Sequence, residues 1–325
     1  MKRKILVTGA AGYVGSKLVR HLLNSNYQVF GLDSLKFGDD SISQIYDNPY
    51  FIFKKGDLRD FELIDNIVQE VTDVVHLAAI VGDPACSKMP EEAFEVNWIA
   101  TRYLFDTCKN SKNISHFVFA STCSNYGKMD NEEFLNENSE LRPVSLYAKL
   151  KVKFEKYLLK SETRDDFYPT ALRFATIFGA SPRIRFDLTV NEFIRDAYLK
   201  RRLTIYGEEF WRPYCHVADI VNAIHLILES NPNKVSHEVF GVGDSNQNYQ
   251  KKKIAEEILK IIPDTNVNYI HKEEDPRNYK VDFSKIKNHL NYQITKTLYY
   301  GLNEIYDILD HKQIEDPYSK KYTNI

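Results

Sequence analysis

At 325 residues, 43% hydrophobic and 27% charged, the chain is long enough for two lobes or one large α/β unit with an ample core. A formal net charge of -2 gives no electrostatic reason to expect nucleic acid or an anionic membrane as the main partner. Cys86, Cys108, Cys123 and Cys215 are widely spaced with no Cys-x-x-Cys pair, which excludes the usual zinc and disulfide patterns and fits reduced thiols in a reducing cytosol.

Met1-Lys-Arg-Lys carries the charge of an export signal, but the apolar run after it is too short and already reads as a strand. No stretch approaches a membrane span. A soluble cytoplasmic protein is therefore expected. The first half alternates strands and helices, which indicates βαβ units and a parallel sheet. Lys4–Thr8 predicts the first strand, followed by a glycine-rich turn and a helix to about Asn24. Strands are expected at Tyr27–Leu32, Phe51–Lys55, Asp73–Leu77, His116–Ala120 and Pro169–Arg173, with helices from about Pro90 to Lys112 and over Leu146–Lys160. After Phe178 the elements shorten and mix, with helices expected at Leu188–Lys200, Asp219–Glu229, Lys251–Ile261 and Thr297–His311. The fold class is α/β: a doubly wound Rossmann parallel sheet over residues 1–178 and a smaller mixed α/β C-terminal lobe over 179–313. The cleft between them is the expected substrate site. Residues 314–325 form a polar tail expected to fray.

Gly9, Gly12 and Gly15 lie between a predicted strand and a predicted helix, the context in which such glycines cradle a dinucleotide pyrophosphate. Tyr13 and Val14 lie within the turn. Asp33 ends the second strand 24 residues after Gly9, where a carboxylate accepts ribose hydroxyls and repels a 2′-phosphate. That favours NAD over NADP, although Lys36 nearby could accommodate the phosphate. Tyr147 and Lys151 are four apart and share one helix face. The ammonium can draw the phenol below its reference pKa of about 10 and make it a general base. The hydroxyl of Thr122, 25 residues earlier, completes a set suited to alcohol–ketone redox.

These residues resemble the extended short-chain dehydrogenase/reductase family, in its nucleotide-sugar epimerase/dehydratase branch. The glycine spacing matches, as do Gly56-Asp57-Leu58-Arg59-Asp60, His76-Leu77-Ala78-Ala79, Glu95-Val96-Asn97 and Ser121-Thr122-Cys123-Ser124-Asn125-Tyr126-Gly127. In the second half, Leu172–Gly179, Arg212-Pro-Tyr-Cys-His216-Val-Ala-Asp219 and Asp275-Pro-Arg277 continue the match to about residue 310. The resemblance implies that Asp57 meets the adenine, that Leu77, Ala78 and Ala79 pass under the nicotinamide ribose, and that Leu58 and the helix residue Asn97 are further cofactor-binding residues. It also implies that Tyr147 and Lys151 contact the cofactor as well as the reacting oxygen. Arg212 and Arg277 become the expected ligands of a nucleotide diphosphate, since guanidinium forks bind two phosphate oxygens at once. Asn191 is a candidate for phosphate or sugar, or a plain surface residue. Arg183 and Arg185 read as solvated loop residues, and His216 as a structural hydrogen-bonder. Cys123 reads as packed rather than nucleophilic.

Dehydratases of this branch carry an Asp-Glu pair after the loop hydroxyl. Cys123 and Ser124 occupy those positions here, which disfavours loss of water. An NAD-dependent 4-epimerase of a nucleotide-diphosphate sugar is expected, in service of surface-polysaccharide precursors. The alternatives are a net C4 dehydrogenase or 4-ketoreductase, to which Ser181–Asn191 and Glu274–Tyr279 have a partial likeness through GDP-heptose enzymes, and a non-catalytic NAD sensor. The resemblance also implies a homodimer packed through the helices near 90–112 and 146–160. Phe94, Trp98, Tyr103 and Phe105 suit either that interface or the core.

Overall fold

The computed structural model describes residues 3–128, 133–272 and 278–324. The chain runs β1 (Lys4–Thr8), α1 (Tyr13–Asn24), β2 (Gln28–Asp33), β3 (Phe51–Lys55), α2 (Phe61–Glu70), β4 (Asp73–His76), α3 (Asp83–Lys88), α4 (Pro90–Phe94), α5 (Thr101–Asn110), β5 (His116–Thr122), β6 (Phe134–Leu135), α6 (Leu146–Lys160) and β7 (Tyr168–Phe174). It continues with β8 (Thr176–Phe178), α7 (Thr189–Lys200), β9 (Arg202–Tyr206), β10 (Trp211–His216), α8 (Val217–Glu229), β11 (Glu238–Val242), β12 (Asn248–Gln250), α9 (Lys251–Ile261), β13 (Asn266–Ile270), β14 (Lys280–Val281), α10 (Ser284–Leu290) and α11 (Leu298–Asp310).

Seven of these strands form one parallel sheet in the order β3-β2-β1-β4-β5-β7-β11. Its central strands are apolar almost throughout because both faces are covered. On one face α1 and α8 bury Leu18, Leu22, Ile220, Ile224 and Ile227. On the other, α2, α5 and α6 bury Ile64, Ile67, Leu104, Phe105, Phe154 and Leu158. The strand order reverses between β1 and β4, so a crevice opens at their carboxyl ends.

Three expectations are corrected. The helix expected over 90–112 is interrupted by a π-helical stretch, Glu95–Ala100, whose wider turn accompanies functional sites. The boundary at 178 does not hold, because α8 and β11 return to the large sheet from the second half of the chain. Eight of α8's residues are buried, Ile220 and Ile224 among them, and such a helix needs an apolar sheet face to cover. The third correction concerns the tail. Ile314 and Tyr322 pack on the second lobe's core, the Tyr322 carbonyl accepts from Phe186 N at 2.9 Å, and Tyr318 Oη donates to Asp196 at 2.9 Å. Its aromatic and aliphatic side chains anchor it despite polar composition. The second lobe itself is built by α7, α9 and α11 around Ile194, Ala197, Ile254, Ile258, Leu302 and Ile305.

Candidate active site

The glycine turn is fixed by sterics. Gly9 has φ +73°, and a Cβ there would lie 2.9 Å from Ala78 N, while one on Gly15 would lie 1.9 Å from the Gly9 carbonyl oxygen. α1 begins at Gly12 with no side-chain cap and no acidic residue in its first turn, so its N–H groups are left to meet an anion. Asp33, at the end of β2, accepts from Ala11 N at 3.0 Å and Leu35 N at 2.8 Å. Burial raises its pKa against those two bonds. These residues fit a dinucleotide: an open helix terminus for the pyrophosphate and a held carboxylate beside it.

A cleft of about 750 Å³ runs from this turn into the second lobe. Gly9, Gly12, Tyr13, Val14 and Gly15 line it, followed by Asp33, Asp57 and Leu58, then Leu77, Ala78 and Ala79. Thr122, Tyr147, Lys151 and Arg212 line it as well. Asp57 is paired with Arg59 at 2.8 Å, and that guanidinium holds its carboxylate below the ordinary range. Two expected contacts stand back from the cleft. The Asn97 amide is exchanged with the Ile80 backbone at 2.8 and 2.9 Å, which fixes the chain leaving β4. Asn191 is fully buried, accepts from Gly179 N at 3.0 Å and donates to the Arg185 carbonyl at 2.9 Å. It shapes the loop before α7 and has no donor left for a ligand. Arg277 lies outside the described residues.

Thr122 ends β5, where its Oγ1 accepts from Ser124 N at 3.1 Å. Ser145 caps α6 by accepting from Ala148 N at 3.2 Å, which starts the helix at Leu146 and sets Tyr147 and Lys151 one turn apart. Lys151 is buried, donates from Nζ to the Ala120 carbonyl at 2.7 Å, and lies 5.8 Å from the Tyr147 ring centre. With no carboxylate beside it, burial lowers its pKa to about 7. Burial also raises the Tyr147 phenol, and the cation that opposes this is Arg185. Loss of water is thus the largest influence on both groups. Among the described residues, the carboxylates lining the cleft are Asp33, Asp57 and Glu92, none of them on the β5 loop or α6. Cys123 is buried with its Sγ directed to the Arg173 carbonyl, and burial pushes its thiol far above the ordinary range. His216 caps α8 through Ala218 N and bonds Glu304 at 2.9 Å, as a structural histidine.

Sequence reasoning missed two sets of residues. Arg183 and Arg185, expected to be solvated, both line the cleft; Arg183 is 7% exposed, and Arg185 is held by Asp187 at 2.6 and 3.0 Å. Behind the β5 loop, Glu155 accepts from Ser121 Oγ at 2.6 Å and from Arg173 at 2.6 Å, while Arg173 also donates to Tyr126 Oη at 3.1 Å. The signal for Glu155 was available, since it follows Lys151 by four residues on one helix face.

Comparison with known proteins agrees with this fold and with a dinucleotide-binding chain. The family model described as "NAD dependent epimerase/dehydratase family" matches residues 5–243. The chain is 28% identical to a UDP-glucose 4-epimerase of Lactobacillus helveticus, over 79% of this chain and 81% of the relative. It is 30% identical to a dTDP-D-glucose 4,6-dehydratase of Dictyostelium discoideum, over 70% of this chain and 55% of that protein. Among solved structures, a UDP-glucuronic acid 4-epimerase from Bacillus cereus, in complex with UDP-glucuronic acid and NAD, superposes with a TM-score of 0.84 at 27% identity, covering 95% of this chain and 99% of the other.

Proposed function

We propose that this chain, which belongs to the NAD-dependent epimerase/dehydratase family, is a nucleotide-sugar 4-epimerase. One observation carries the choice within the family. Thr122, Tyr147 and Lys151 meet in the cleft, yet the two positions after Thr122 hold a buried thiol and a serine in place of an acid and a base. Oxidation at a carbinol carbon is thereby supported, and elimination of water is not. Reversible hydride transfer is the chemistry NAD supplies when bound. Tyr147 takes the C4 hydroxyl proton and returns it after the sugar has presented its other face. Thr122 Oγ1 holds the same oxygen, and Lys151 stations a cation behind the phenol. Arg212 and Lys251, which line the cleft, are with Arg277 the proposed diphosphate ligands, and Asp33, Asp57 and the 77–79 segment the proposed cofactor contacts.

A second copy of the chain is the proposed partner. Phe94 and Ile99 remain 41% and 45% exposed on the helical stretch that flanks α6, while Phe105 is wholly buried, so the apolar spacing serves core and surface together. No helix among the described residues is long and apolar enough to cross a membrane. A cytoplasmic enzyme supplying polysaccharide precursors is the setting we propose.

The test is mass spectrometry of purified protein incubated with UDP-, GDP-, dTDP- and CDP-sugars and no added cofactor. A new peak of unchanged mass over many turnovers is expected. A product lighter by two hydrogens that stops near one turnover would replace the epimerase by a dehydrogenase. Tyr147→Phe should lower turnover at least about a hundredfold, the usual scale of a positioned acid–base group. Retention of more than a few per cent would refute the role given to Tyr147.

A further inference from the structure

The loop after β8 crosses directly over the start of α1. Tyr13 Oη donates to the Gly179 carbonyl at 2.7 Å, Lys17 Nζ to the Ala180 carbonyl at 2.8 Å, and Ser181 Oγ to the Tyr13 carbonyl at 2.5 Å. Arg183, next on this loop, lines the cleft beside Asp33, with its guanidinium 4.1 Å above the Phe37 ring. It is nine-tenths buried, its Nη2 donates to the Thr323 carbonyl at 3.1 Å, and its Nε–H has no partner among the described residues. Asn324 lines the same stretch of cleft. Its N–H donates to Asp187 Oδ2 at 3.2 Å, and its own Oδ1 is buried without a partner.

Buried, unpaired polar atoms on two residues that both line the cleft are costly unless something completes them. Both belong to residues lining the cleft where Asp33 and the glycine turn await the adenosine half of the cofactor. We propose that Arg183 is a cofactor-binding residue that donates to the oxygen acceptors of the adenosine diphosphate half of NAD, and that the segment 318–324 is the strap that holds it there. The strap is anchored at Tyr318, which bonds Asp196, and at Tyr322, whose ring meets Phe186 edge-on at 5.9 Å. Lys321 reaches across to Asp40, on the loop that follows β2, at 3.8 Å. The strap thus ties the second lobe to the rim of the cofactor site. An enzyme that recycles its NAD at every turnover gains from such a closure, because cofactor escape then requires the strap to lift.

The experiment titrates NAD-stripped protein with NAD and, separately, with ADP-ribose, reading heat or intrinsic fluorescence. Arg183→Gln is expected to weaken both ligands by the same factor, about ten- to a hundredfold, the range of a charge-assisted hydrogen bond. Removal of residues 319–325 should weaken both in the same direction by a smaller factor, since the guanidinium itself stays while its anchor at Thr323 and the Asn324 wall are lost. Arg183→Lys, which keeps the charge, should fall between parent and glutamine variant, and the melting temperature of each ligand-free variant checks that the fold is intact. Unchanged affinity in Arg183→Gln overturns the proposal. So does a loss for NAD without a loss for ADP-ribose, which would assign the effect to the nicotinamide end. These readings concern cofactor binding alone and do not depend on which sugar is the substrate or whether it is epimerised.

Discussion

Two cations are buried against the end of β5, and their surroundings are opposite. Arg173 is clasped by Glu155 and Tyr126, so its charge is fully met and its pKa rises. Lys151 has the Ala120 carbonyl and the Phe119 and Tyr147 rings but no carboxylate, and burial lowers its pKa to about 7. A buried charge that is paired can serve as scaffold; one that meets only a carbonyl dipole and aromatic rings is disfavoured by its own fold. The first arrangement fixes the β5 loop, and the second leaves a cation beside Tyr147 with no carboxylate to hold its charge. Position alone does not distinguish them. The presence or absence of a carboxylate does.

Removing the scaffold cation should produce the larger effect. Arg173→Met leaves Glu155 buried and unpaired, which costs about 3–5 kcal/mol of stability. Chemical denaturation should register the loss as a lower midpoint. Pairing it with Glu155→Leu should recover much of the stability, because a buried ion pair replaced whole is often near neutral. Failure to recover would mean that Ser121 and Asn125 depend on the carboxylate more than Arg173 does.

Removing the other cation should have the reverse sign. Lys151→Met deletes a charge that the fold disfavours, so the ligand-free protein should gain stability, on the order of a few kcal/mol, while turnover falls about a hundredfold. The sign follows from linkage. Folded Lys151 has its pKa lowered from 10.5 to about 7, so the cost is complete below pH 7 and fades as pH rises towards 10.5. The advantage of the variant should therefore shrink between pH 7 and pH 10. A variant less stable than the parent at pH 6 would show that Lys151 is scaffold after all.

The same contrast explains what could be read from the sequence. Strands β1–β5 and the α6 helix were legible because their apolar spacing and turn residues are local. The glycine turn was legible because its three glycines each meet a steric demand. The return of α8 and β11 to the large sheet was not, since Glu238–Val242 is short, includes Gly241, and pairs with β7 residues 68 positions earlier, Glu238 with Thr170. Nor was the fate of Asn97, Asn191, Arg183 and Arg185. Whether a polar side chain faces a ligand or its own backbone depends on loop geometry, and spacing does not encode that. The tail was misjudged for a related reason: polar composition hid the anchoring by Ile314, Tyr318 and Tyr322.

A third buried charge, far from the chemistry, sharpens the contrast at a smaller scale. Asp73 begins β4 and is 1% exposed, held by Arg3 at 2.7 and 3.0 Å and by His116 at 2.8 Å. Burial pushes its carboxyl up, but the bonds from His116 and Arg3 win and lower it to about 2, from an ordinary 3.8. Its contribution is thus present above pH 4 and is lost as pH falls through 2. Linkage puts that contribution at about 2 kcal/mol, less than the Arg173 effect because Arg3 keeps partial access to water. Asp73→Asn should lower the urea midpoint at pH 6, and the gap from the parent should close as both are acidified from pH 4 towards pH 2. A gap that stays constant over that range would mean that Asp73 acts through shape and hydrogen bonding, with its charge contributing nothing.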